Sequence, residues 1–360
     1  MNSRGAAVPI DLDDAGAVLA ADHDGALRAA SMAGAQVRAT AAAVDEGALA
    51  RVRNDDGLPP RAVIWVAGRG TARTAGDLLT AALAGSAAEP VVLAGDVPQW
   101  IGPLDVLVVA GADPGDPALV GAAAVGVRRG ARVVVAAPYE GPLRDSTAGR
   151  VAVLEPRLPV PDEFGLARLL AVGLAVLSAV DPAVAPDLAA LADELDAEVL
   201  RNSAGREMLT NPAKALADRI FGSDVALAGD CAATQALARH GSAALLRIGH
   251  TVVAAAGLAE AVAALRARCA AEPKVDIFHD DQIDGPAAAR LRVLALTLAA
   301  ERTVVAARAA GLDGVDVIGA DDVPTGPDEA DSLPRRIEEQ LAVLAVRLEM
   351  TAAYLRVLRG

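Results

Sequence analysis

Short apolar runs alternate with alanine-rich stretches of helical spacing between residues 60 and 180. The runs predict strands at Ala62–Ala67, Val91–Leu93, Asp105–Ala110, Arg132–Ala136 and Val151–Leu154. Helices are predicted between them, near Ala72–Leu83 and Pro117–Arg129. Strands that are apolar on both faces and separated by helices are typical of a parallel sheet covered on both sides.

The same alternation returns in the second half of the chain, after two or three helices predicted between Asp162 and Phe221. The predicted elements are a strand at Asp224–Ala228, a helix near Ala232–Arg239, and strands at Lys274–Phe278, Arg292–Leu298 and Gly314–Ile318. This repetition indicates two α/β units of similar size.

Terminal helices complete the predicted architecture. Residues 1–58 have helical spacing, and a final helix is predicted to open at Ser332, with Pro334 in its first turn. The fold class is therefore α/β, with two flavodoxin-like parallel-sheet sandwich domains and N- and C-terminal helices. The final helix has one apolar stripe: Ile337, Leu341, Leu344, Leu348, Leu355 and Leu358. The predicted segments are an N-terminal helical segment 1–58, a first α/β domain 59–180, linking helices 181–222, a second α/β domain 223–330 and a C-terminal helix 331–360.

Composition and charge exclude several functional classes. Hydrophobic residues make up 53% of the chain, which excludes a disordered protein. The net charge is −14 and the chain has no basic run, so we expect no nucleic-acid partner. The most apolar stretch, Leu169–Val180, has 12 residues, whereas a membrane span needs roughly 20. With only Cys231 and Cys269 and no signal-peptide pattern, we expect a cytoplasmic protein with two buried thiols.

A glycine-rich turn follows the first predicted strand and enters a helix. Its sequence from Gly68 to Asp77 is GRGTARTAGD. Glycines let the backbone approach an anion, and a helix N-terminus offers free N–H groups and the positive end of its dipole. The Thr71 and Thr74 hydroxyls would suit a phosphate or phosphosugar, whereas a dinucleotide fingerprint needs glycine where Arg73 stands. A turn whose glycines serve only packing is the third open interpretation.

Other polar groups give weaker signals. The segment Ala110–Asp116 follows a predicted strand at the corresponding place, but Asp113 and Asp116 would repel a phosphate, which favours a plain turn. His250 lies in an apolar run and is interpreted as a core histidine, whereas His279 is interpreted as part of a solvated loop. The histidines have no metal-like spacing with thiols or carboxylates, so we expect neither a metal nor a cofactor.

The order of these pieces resembles the bifunctional phosphoglucose/phosphomannose isomerases, which are two-domain sugar isomerase (SIS) proteins, and in particular their TobH-like relatives. Gly68 to Asp77 matches the family's GMGGSGxxGD at its first, third, ninth and tenth positions. The other anchors are RRGA at Arg128–Ala131, NPAK at Asn211–Lys214, a strand and glycine at Asp224–Gly229, and Gly257–Glu260 where NHNE would be. The resemblance implies two SIS-type domains, a hexose phosphate as substrate, and a homodimer with its active site near the interface.

The groups that the family uses for catalysis are mostly absent at the matching positions. The family's general base should lie near Leu245 and Leu246, and no glutamate occurs between Glu207 and Glu260. Isomerisation needs such a carboxylate to move a proton between C1 and C2. Four other groups of the family are also missing. Ala72 stands where the family has its first-loop serine, and Leu258 stands where it has the NHN histidine. The SYSGNT phosphate loop matches Ala110–Gly115, and the arginine of the PR motif matches Asp162, with Arg157 displaced.

The leading hypothesis is a SIS-fold protein that resembles a glucose-6-phosphate/mannose-6-phosphate isomerase but has lost the catalytic residues. It would bind a sugar phosphate or regulate a sugar-nucleotide pathway enzyme, and a homodimer is expected. Two alternatives stay open: an active hexose-phosphate isomerase with relocated groups such as Asp113, His240 or His250, and a nucleotide-binding module. Substrate binding is assigned to Gly68, Gly70, Thr71, Thr74 and Asp77, and catalysis and metal binding to no residue.

Overall fold

Two parallel sheets organise the chain, each in its own unit. The structure, a computed structural model, describes residues 10–53, 59–85, 87–181, 184, 186–271, 291–321 and 335–359. The first-sheet unit comprises Gly25–Leu200 and Arg336–Val346. The second-sheet unit comprises Met1–Asp24, Arg201–Arg335 and Arg347–Gly360. The five-segment division predicted from the sequence stays a prediction.

The described residues form nine strands and thirteen α-helices, numbered in chain order. The strands are β1 Ala62–Val66, β2 Val91–Ala94, β3 Asp105–Ala110, β4 Arg132–Ala136, β5 Ala152–Val153, β6 Asp224–Gly229, β7 Ala254–Gly257, β8 Leu291–Leu296 and β9 Val315–Ile318. The helices are α1 Ala15–Ala21, α2 Ala26–Ala30, α3 Ala33–Asp45, α4 Gly70–Leu83, α5 Pro117–Arg128, α6 Gly141–Thr147, α7 Leu166–Val180, α8 Leu188–Arg201, α9 Pro212–Ile220, α10 Ala232–Arg247, α11 Leu258–Ala271, α12 Arg302–Ala309 and α13 Ile337–Arg359. A 3₁₀ helix at Asp162–Phe164 precedes α7.

The first sheet has the strand order β2-β1-β3-β4-β5, and its neighbouring strands are all parallel. Val63 of β1 pairs with Val91 of β2 on one side and with Val106 of β3 on the other. β1 and β3 are buried along their whole length, as their continuous apolar runs predict. This is the flavodoxin-like order, so the fold class expected from the sequence is confirmed.

Glycines let the helices of the first-sheet unit pack closely on the strands. A Cβ atom at Gly76 of α4 would lie 2.6 Å from Cδ1 of Trp65. Trp65 lies beneath α4 and donates its indole N–H to the carbonyl oxygen of Ala72 at 2.8 Å. A Cβ at Gly126 of α5 would likewise lie 2.6 Å from Cδ2 of Leu107. These glycines therefore allow α4 and α5 to lie close to the strands beneath them.

The second sheet is also parallel and has the order β7-β6-β8-β9. The predicted strands in β6, β8 and β9 are confirmed, whereas the strand predicted at Lys274–Phe278 lies outside the described residues. The sequence pattern misses β7 because its four residues are alanine and glycine, which lack the branched side chains that signal a strand.

Several helix boundaries differ from those predicted. α10 continues beyond Arg239 to Arg247, and the sequence pattern does not predict the helices α6, α11 and α12. The predicted helix start at Ser332 and Pro334 lies outside the described residues. On α13 most of the predicted apolar stripe is buried, but Ile337 in the first turn is 42% exposed and Leu358 in the last turn is half-buried. In the part of the chain that the structure describes, no helix has both the length and the apolar character that crossing a membrane requires.

Candidate functional site

The first sheet has a topological switch point between β1 and β3. The chain continues from β1 to β2 on one side, and β3 lies on the other side of β1. In open parallel sheets, ligands bind in the crevice outside the carboxyl ends of the strands at such a point. The turns that follow β1 and β3 therefore form the candidate functional site.

The turn after β1 leaves the N-terminus of α4 without a side-chain cap. Gly68, Arg69 and Gly70 are exposed, and the N-cap residue Arg69 is extended, with φ −159° and ψ 174°. Gly70 has φ +66°, a left-handed conformation that favours glycine at this position. The Arg69 side chain makes no capping hydrogen bond. Such an open helix N-terminus stabilises an anion through its N–H groups and the helix dipole.

Both threonine hydroxyls predicted to contact a phosphate are bonded within the chain. Thr71 is buried, and its Oγ1 donates to the carbonyl oxygen of Asp162 at 3.0 Å. Thr74 Oγ1 donates back to the carbonyl oxygen of Gly70 at 3.3 Å. Asp77 is half-buried further along α4. An anion at this turn would therefore depend on backbone N–H groups and on the exposed Arg69 rather than on hydroxyls.

The turn after β3 uses its carboxylates for its own folding. Asp113 Oδ1 accepts the N–H of Gly115 at 2.8 Å, and Asp116 Oδ1 caps α5 by accepting the N–H of Ala118 at 2.9 Å. These contacts agree with the plain turn expected from the sequence. The other oxygen of Asp116 stands beside the first turn, 3.7 Å from where a Cβ of Gly68 would be. One carboxylate therefore opposes an anion at the candidate site.

The histidines considered as relocated catalytic groups do not reach this site. His240 is buried in the second-sheet unit, where its Nε2 lies 3.2 Å from Oε1 of the equally buried Glu349. The interpretation of His250 as a core histidine is wrong: it is exposed in the loop after α10, with a left-handed φ of +48°. The apolar run was misleading because neighbouring Val252 is 84% exposed. His279 lies outside the described residues.

The sequence predicts that both cysteines are buried, and this prediction is wrong for Cys231. Cys231 is half-buried rather than buried, and it is the N-cap residue of α10. The side chain of Cys269 lies outside the description.

The residues of the NPAK motif make buried contacts within the second-sheet unit. Lys214 is fully buried, and its Nζ donates to the carbonyl oxygens of Ala204 at 2.9 Å and Arg206 at 2.6 Å. The same ammonium lies 5.7 Å from the ring centroid of Tyr354. Burial lowers the pKa of Lys214. Asn211 caps α9 by accepting the N–H of Lys214 at 2.9 Å. These contacts give the motif a structural role.

Sequence reasoning missed Arg168, whose side chain reaches the carboxyl edge of the first sheet. Its Nη1 donates to the carbonyl oxygen of Leu154 at 3.3 Å, and its Nη2 to that of Ala136 at 3.5 Å. The signal was available, since Arg168 is the one charged residue in the sequence of α7, LARLLAVGLAVLSAV. Arg157, the displaced match to the PR motif, instead pairs with Glu46 through two hydrogen bonds of 2.9 and 2.5 Å.

Comparison with solved structures finds the same fold over nearly the whole chain. A tagatose-6-phosphate ketose/aldose isomerase from Escherichia coli has a TM-score of 0.63 at 13% identity, covering 98% of this chain and 95% of that chain. The C-terminal domain of glucosamine-fructose-6-phosphate aminotransferase from Francisella tularensis has a TM-score of 0.55 at 11% identity, covering 96% of each chain. A glucose-6-phosphate isomerase like protein from Thermus thermophilus has a TM-score of 0.50 at 18% identity, covering 86% of each chain.

Neither a protein-family model nor a curated protein matches the sequence. The structural neighbours nevertheless have the SIS fold of phosphosugar isomerases, and this chain shares that fold. The coarser part of the resemblance seen in the sequence, the SIS fold, is therefore confirmed.

Proposed function

We propose that this chain is a sugar-phosphate-binding or regulatory SIS protein that has lost the isomerase chemistry of the phosphoglucose/phosphomannose isomerases. The observation that carries the binding part is the open N-terminus of α4 at the switch point of the first sheet. The names of the structural neighbours contain tagatose 6-phosphate, fructose 6-phosphate and glucose 6-phosphate, which supports a phosphorylated sugar as the ligand class.

The proposed binding residues keep different roles in this site. Gly68 and Gly70 leave space for an anion to approach the backbone, and Thr71 and Thr74 contribute the geometry of the turn rather than free donors. Asp77 lies farther along α4 and would face a sugar hydroxyl rather than the phosphate, because two anions repel. The nearby Asp116 carboxylate weakens the site, so we expect millimolar rather than micromolar affinity.

Loss of catalysis is supported by the chemistry of the residues near the switch point. The carboxylates after β3 are held by the N–H groups of their own turn, and His240 is buried against Glu349. A general base must come within about 3 Å of the proton that it removes. An active isomerase with relocated groups is therefore the weaker alternative. A nucleotide-binding module is weaker still, because the β1 turn has arginine at position 73 where the dinucleotide pattern needs glycine.

Substitutions at Gly68 test the binding site. Glucose 6-phosphate, mannose 6-phosphate and fructose 6-phosphate would be titrated by calorimetry into the wild-type protein, Gly68→Asp and the matched control Gly68→Ala. Position 68 has an ordinary backbone conformation and space for a Cβ. We expect Gly68→Asp to abolish binding by adding a carboxylate, and Gly68→Ala, whose methyl group adds no charge, to weaken it far less. Equal binding by Gly68→Asp would place the ligand elsewhere.

A coupled assay on the same proteins tests the loss of catalysis. We expect no conversion of fructose 6-phosphate to glucose 6-phosphate or mannose 6-phosphate. Conversion that His250→Ala or Asp113→Asn abolishes would establish the alternative of an active isomerase. Stabilisation by NAD or ATP, without any by the sugar phosphates, would favour the nucleotide-binding module; a ligand at 100 times its Kd adds about 2.7 kcal/mol to the free energy of unfolding.

The proposal extends to assembly and location. We propose a homodimer in the cytoplasm that acts with a sugar-nucleotide pathway enzyme. Sedimentation equilibrium at micromolar concentration should give a particle of twice the 36.2 kDa chain mass. A single 36.2 kDa species would refute the dimer without affecting the binding proposal.

A further inference from the structure

A single cation interrupts the apolar sequence of α7. Arg168 is half-buried, and its two hydrogen bonds to the carbonyl oxygens of Leu154 and Ala136, at 3.3 and 3.5 Å, are both long. No ion pair joins it to a carboxylate within the described ranges. A guanidinium has further N–H groups that these two carbonyls do not use.

Burial without a counter-ion is unfavourable for this guanidinium. Desolvation lowers the pKa of Arg168 to about 10, and the charge of Asp162 opposes that change only in part. A buried charge is normally paired or fully hydrogen-bonded, because removing it from water is costly. An anion that reached Arg168 would therefore gain a strong, charge-assisted contact.

A small cleft gives such an anion access. It is shallow and open to solvent, and it lies between α3, the segment after β5 and Arg168. Thr40 and Gln36 of α3 line one side, and Glu155 and Arg157 line another. Glu46 already neutralises Arg157. The cation left for a ligand within the described lining is Arg168.

The cleft also offers hydrogen-bond acceptors. Thr40 Oγ1 donates its proton to the carbonyl oxygen of Gln36 at 3.0 Å, and the amide of Gln36 donates to the carbonyl oxygen of Phe164 at 2.9 Å. The Thr40 oxygen and the exposed Glu155 carboxylate can therefore accept hydrogen bonds from a ligand. A donor on one side and acceptors on the other suit a molecule that carries both an oxyanion and hydroxyls.

We propose that this Arg168 cleft is a second anion site, separate from the turn after β1, which takes a small hydroxylated oxyanion. The oxyanion, either phosphate or carboxylate, binds the Arg168 guanidinium, and a hydroxyl donates to Glu155 or Thr40. The cleft lies wholly within the first-sheet unit. Its lining shares no residue with the β1 turn, so this proposal and the proposed function can fail separately.

The test uses the full chain with Gly68→Asp, which removes the β1 turn as a competing anion site. Inorganic phosphate, glycerol 3-phosphate and glycerate are titrated by calorimetry at constant ionic strength. We expect Arg168→Gln to weaken binding of each by about tenfold or more. The matched control, Arg73→Gln, removes an exposed arginine of α4 and should leave affinity unchanged. Equal affinity in Arg168→Gln, or no binding of any of the three probes, overturns the proposal.

Glu155→Gln gives a result that a purely structural role of Arg168 would not produce. Glu155 is exposed, so the substitution should leave the fold intact even if Arg168→Gln fails to fold. Removing its negative charge should tighten inorganic phosphate about threefold, and added salt should reduce the gain. Unchanged or weaker phosphate binding would contradict the site. Tighter binding of glycerol 3-phosphate than glycerate would identify phosphate as the preferred oxyanion, and the reverse order would identify carboxylate.

Discussion

β1 and β6 each lie second in the strand order of their sheet, and each is followed by a turn into a helix, yet of these two turns only the one after β1 is open. After β6, Cys231 and Thr234 form a capping box, with 3.2 Å from the Cys231 N–H to Thr234 Oγ1 and 3.4 Å between Sγ and Oγ1. Asp230 is paired with Arg308. After β1, the N-cap Arg69 leaves its helix uncapped. One fold can thus leave a helix N-terminus uncapped in one unit and cap the matching position in the other.

A glycine near each of these turns shows the same difference, although their positions are not equivalent: Gly229 is the last residue of β6, whereas Gly68 is the second residue after β1. A Cβ at Gly229 would lie 2.3 Å from the backbone nitrogen of Gln235, so strand and helix touch directly. A Cβ at Gly68 would have no neighbour closer than the Asp116 oxygen at 3.7 Å. Glycine in the β6 turn is therefore required for packing, whereas glycine in the β1 turn leaves a space.

The largest expected effect comes from adding a methyl group to each turn. We expect Gly229→Ala to lower the free energy of unfolding by about 2–4 kcal/mol, because backbone must move to admit the Cβ. Gly68→Ala should change it by less than about 0.5 kcal/mol. Urea unfolding of both variants measures this difference. Similar losses at both positions would remove the distinction between a packed and an open turn.

A second, smaller effect should come from the capping residues. Thr234→Val removes the hydroxyl that bonds the Cys231 N–H, and we expect it to destabilise the second-sheet unit by about 1 kcal/mol. Thr74→Val removes only a hydroxyl that bonds back to Gly70 within its own helix, so the expected change is about 0.5 kcal/mol or less. Thermal unfolding compares the pair. A larger loss for Thr74→Val would mean that its hydroxyl supports the β1 turn.

Acid titration tests the segment before β2, where no ligand site is proposed. Glu89 precedes β2, is 6% exposed, and neither of its oxygens has a hydrogen-bond partner among the described residues. Burial, together with the charge of Asp181, raises the pKa of Glu89. A carboxyl whose pKa is higher in the folded protein destabilises the fold above that pKa, and this penalty disappears as the pH falls below the unfolded value of 4.5.

We therefore expect Glu89→Gln to be more stable than the wild type at pH 8 and equal to it below about pH 4.5. Unfolding midpoints across that range measure the difference. Glu155→Gln removes an exposed carboxylate of the same unit and is the control for the loss of one negative charge. A variant that is less stable than the wild type at pH 8 would show that Glu89 contributes a favourable interaction.

The smallest expected effect concerns the ion pair beside the closed turn. Arg308 is 56% exposed, so its pair with Asp230 is screened by solvent. Arg308→Gln should cost at most about 1 kcal/mol, and high salt should remove the difference. A loss that persists at high salt would indicate that Arg308 packs against the turn through its aliphatic stem.

The sequence predicts the sheets well because their strands are continuous apolar runs, as in β1 and β3. It misses β7, since alanine and glycine carry no strand signal, and it misplaces His250, since an apolar run can also cover an exposed loop. The candidate turn was found from its glycines. That the Thr71 hydroxyl is engaged by Asp162 depends on the path of a chain segment some ninety residues away, which no local pattern encodes. The bond from Thr74 back to Gly70 is local, within one turn of α4. Arg168 differs from Thr71, because a single arginine in an apolar helix is a signal that the local sequence already carries.

The scarcity of aromatic residues gives the β1 turn an optical reporter. The chain has two tryptophans. Trp65 is 2% exposed, and its indole is bonded to the first turn of α4, whereas Trp100 is 47% exposed and lies 5.0 Å from the Arg61 guanidinium. Their emission maxima should therefore differ, the buried indole emitting at shorter wavelength. In a Trp100→Phe protein, all tryptophan fluorescence would arise directly beneath the helix whose N-terminus is proposed to hold the phosphate, so ligand binding could be followed by light without a label.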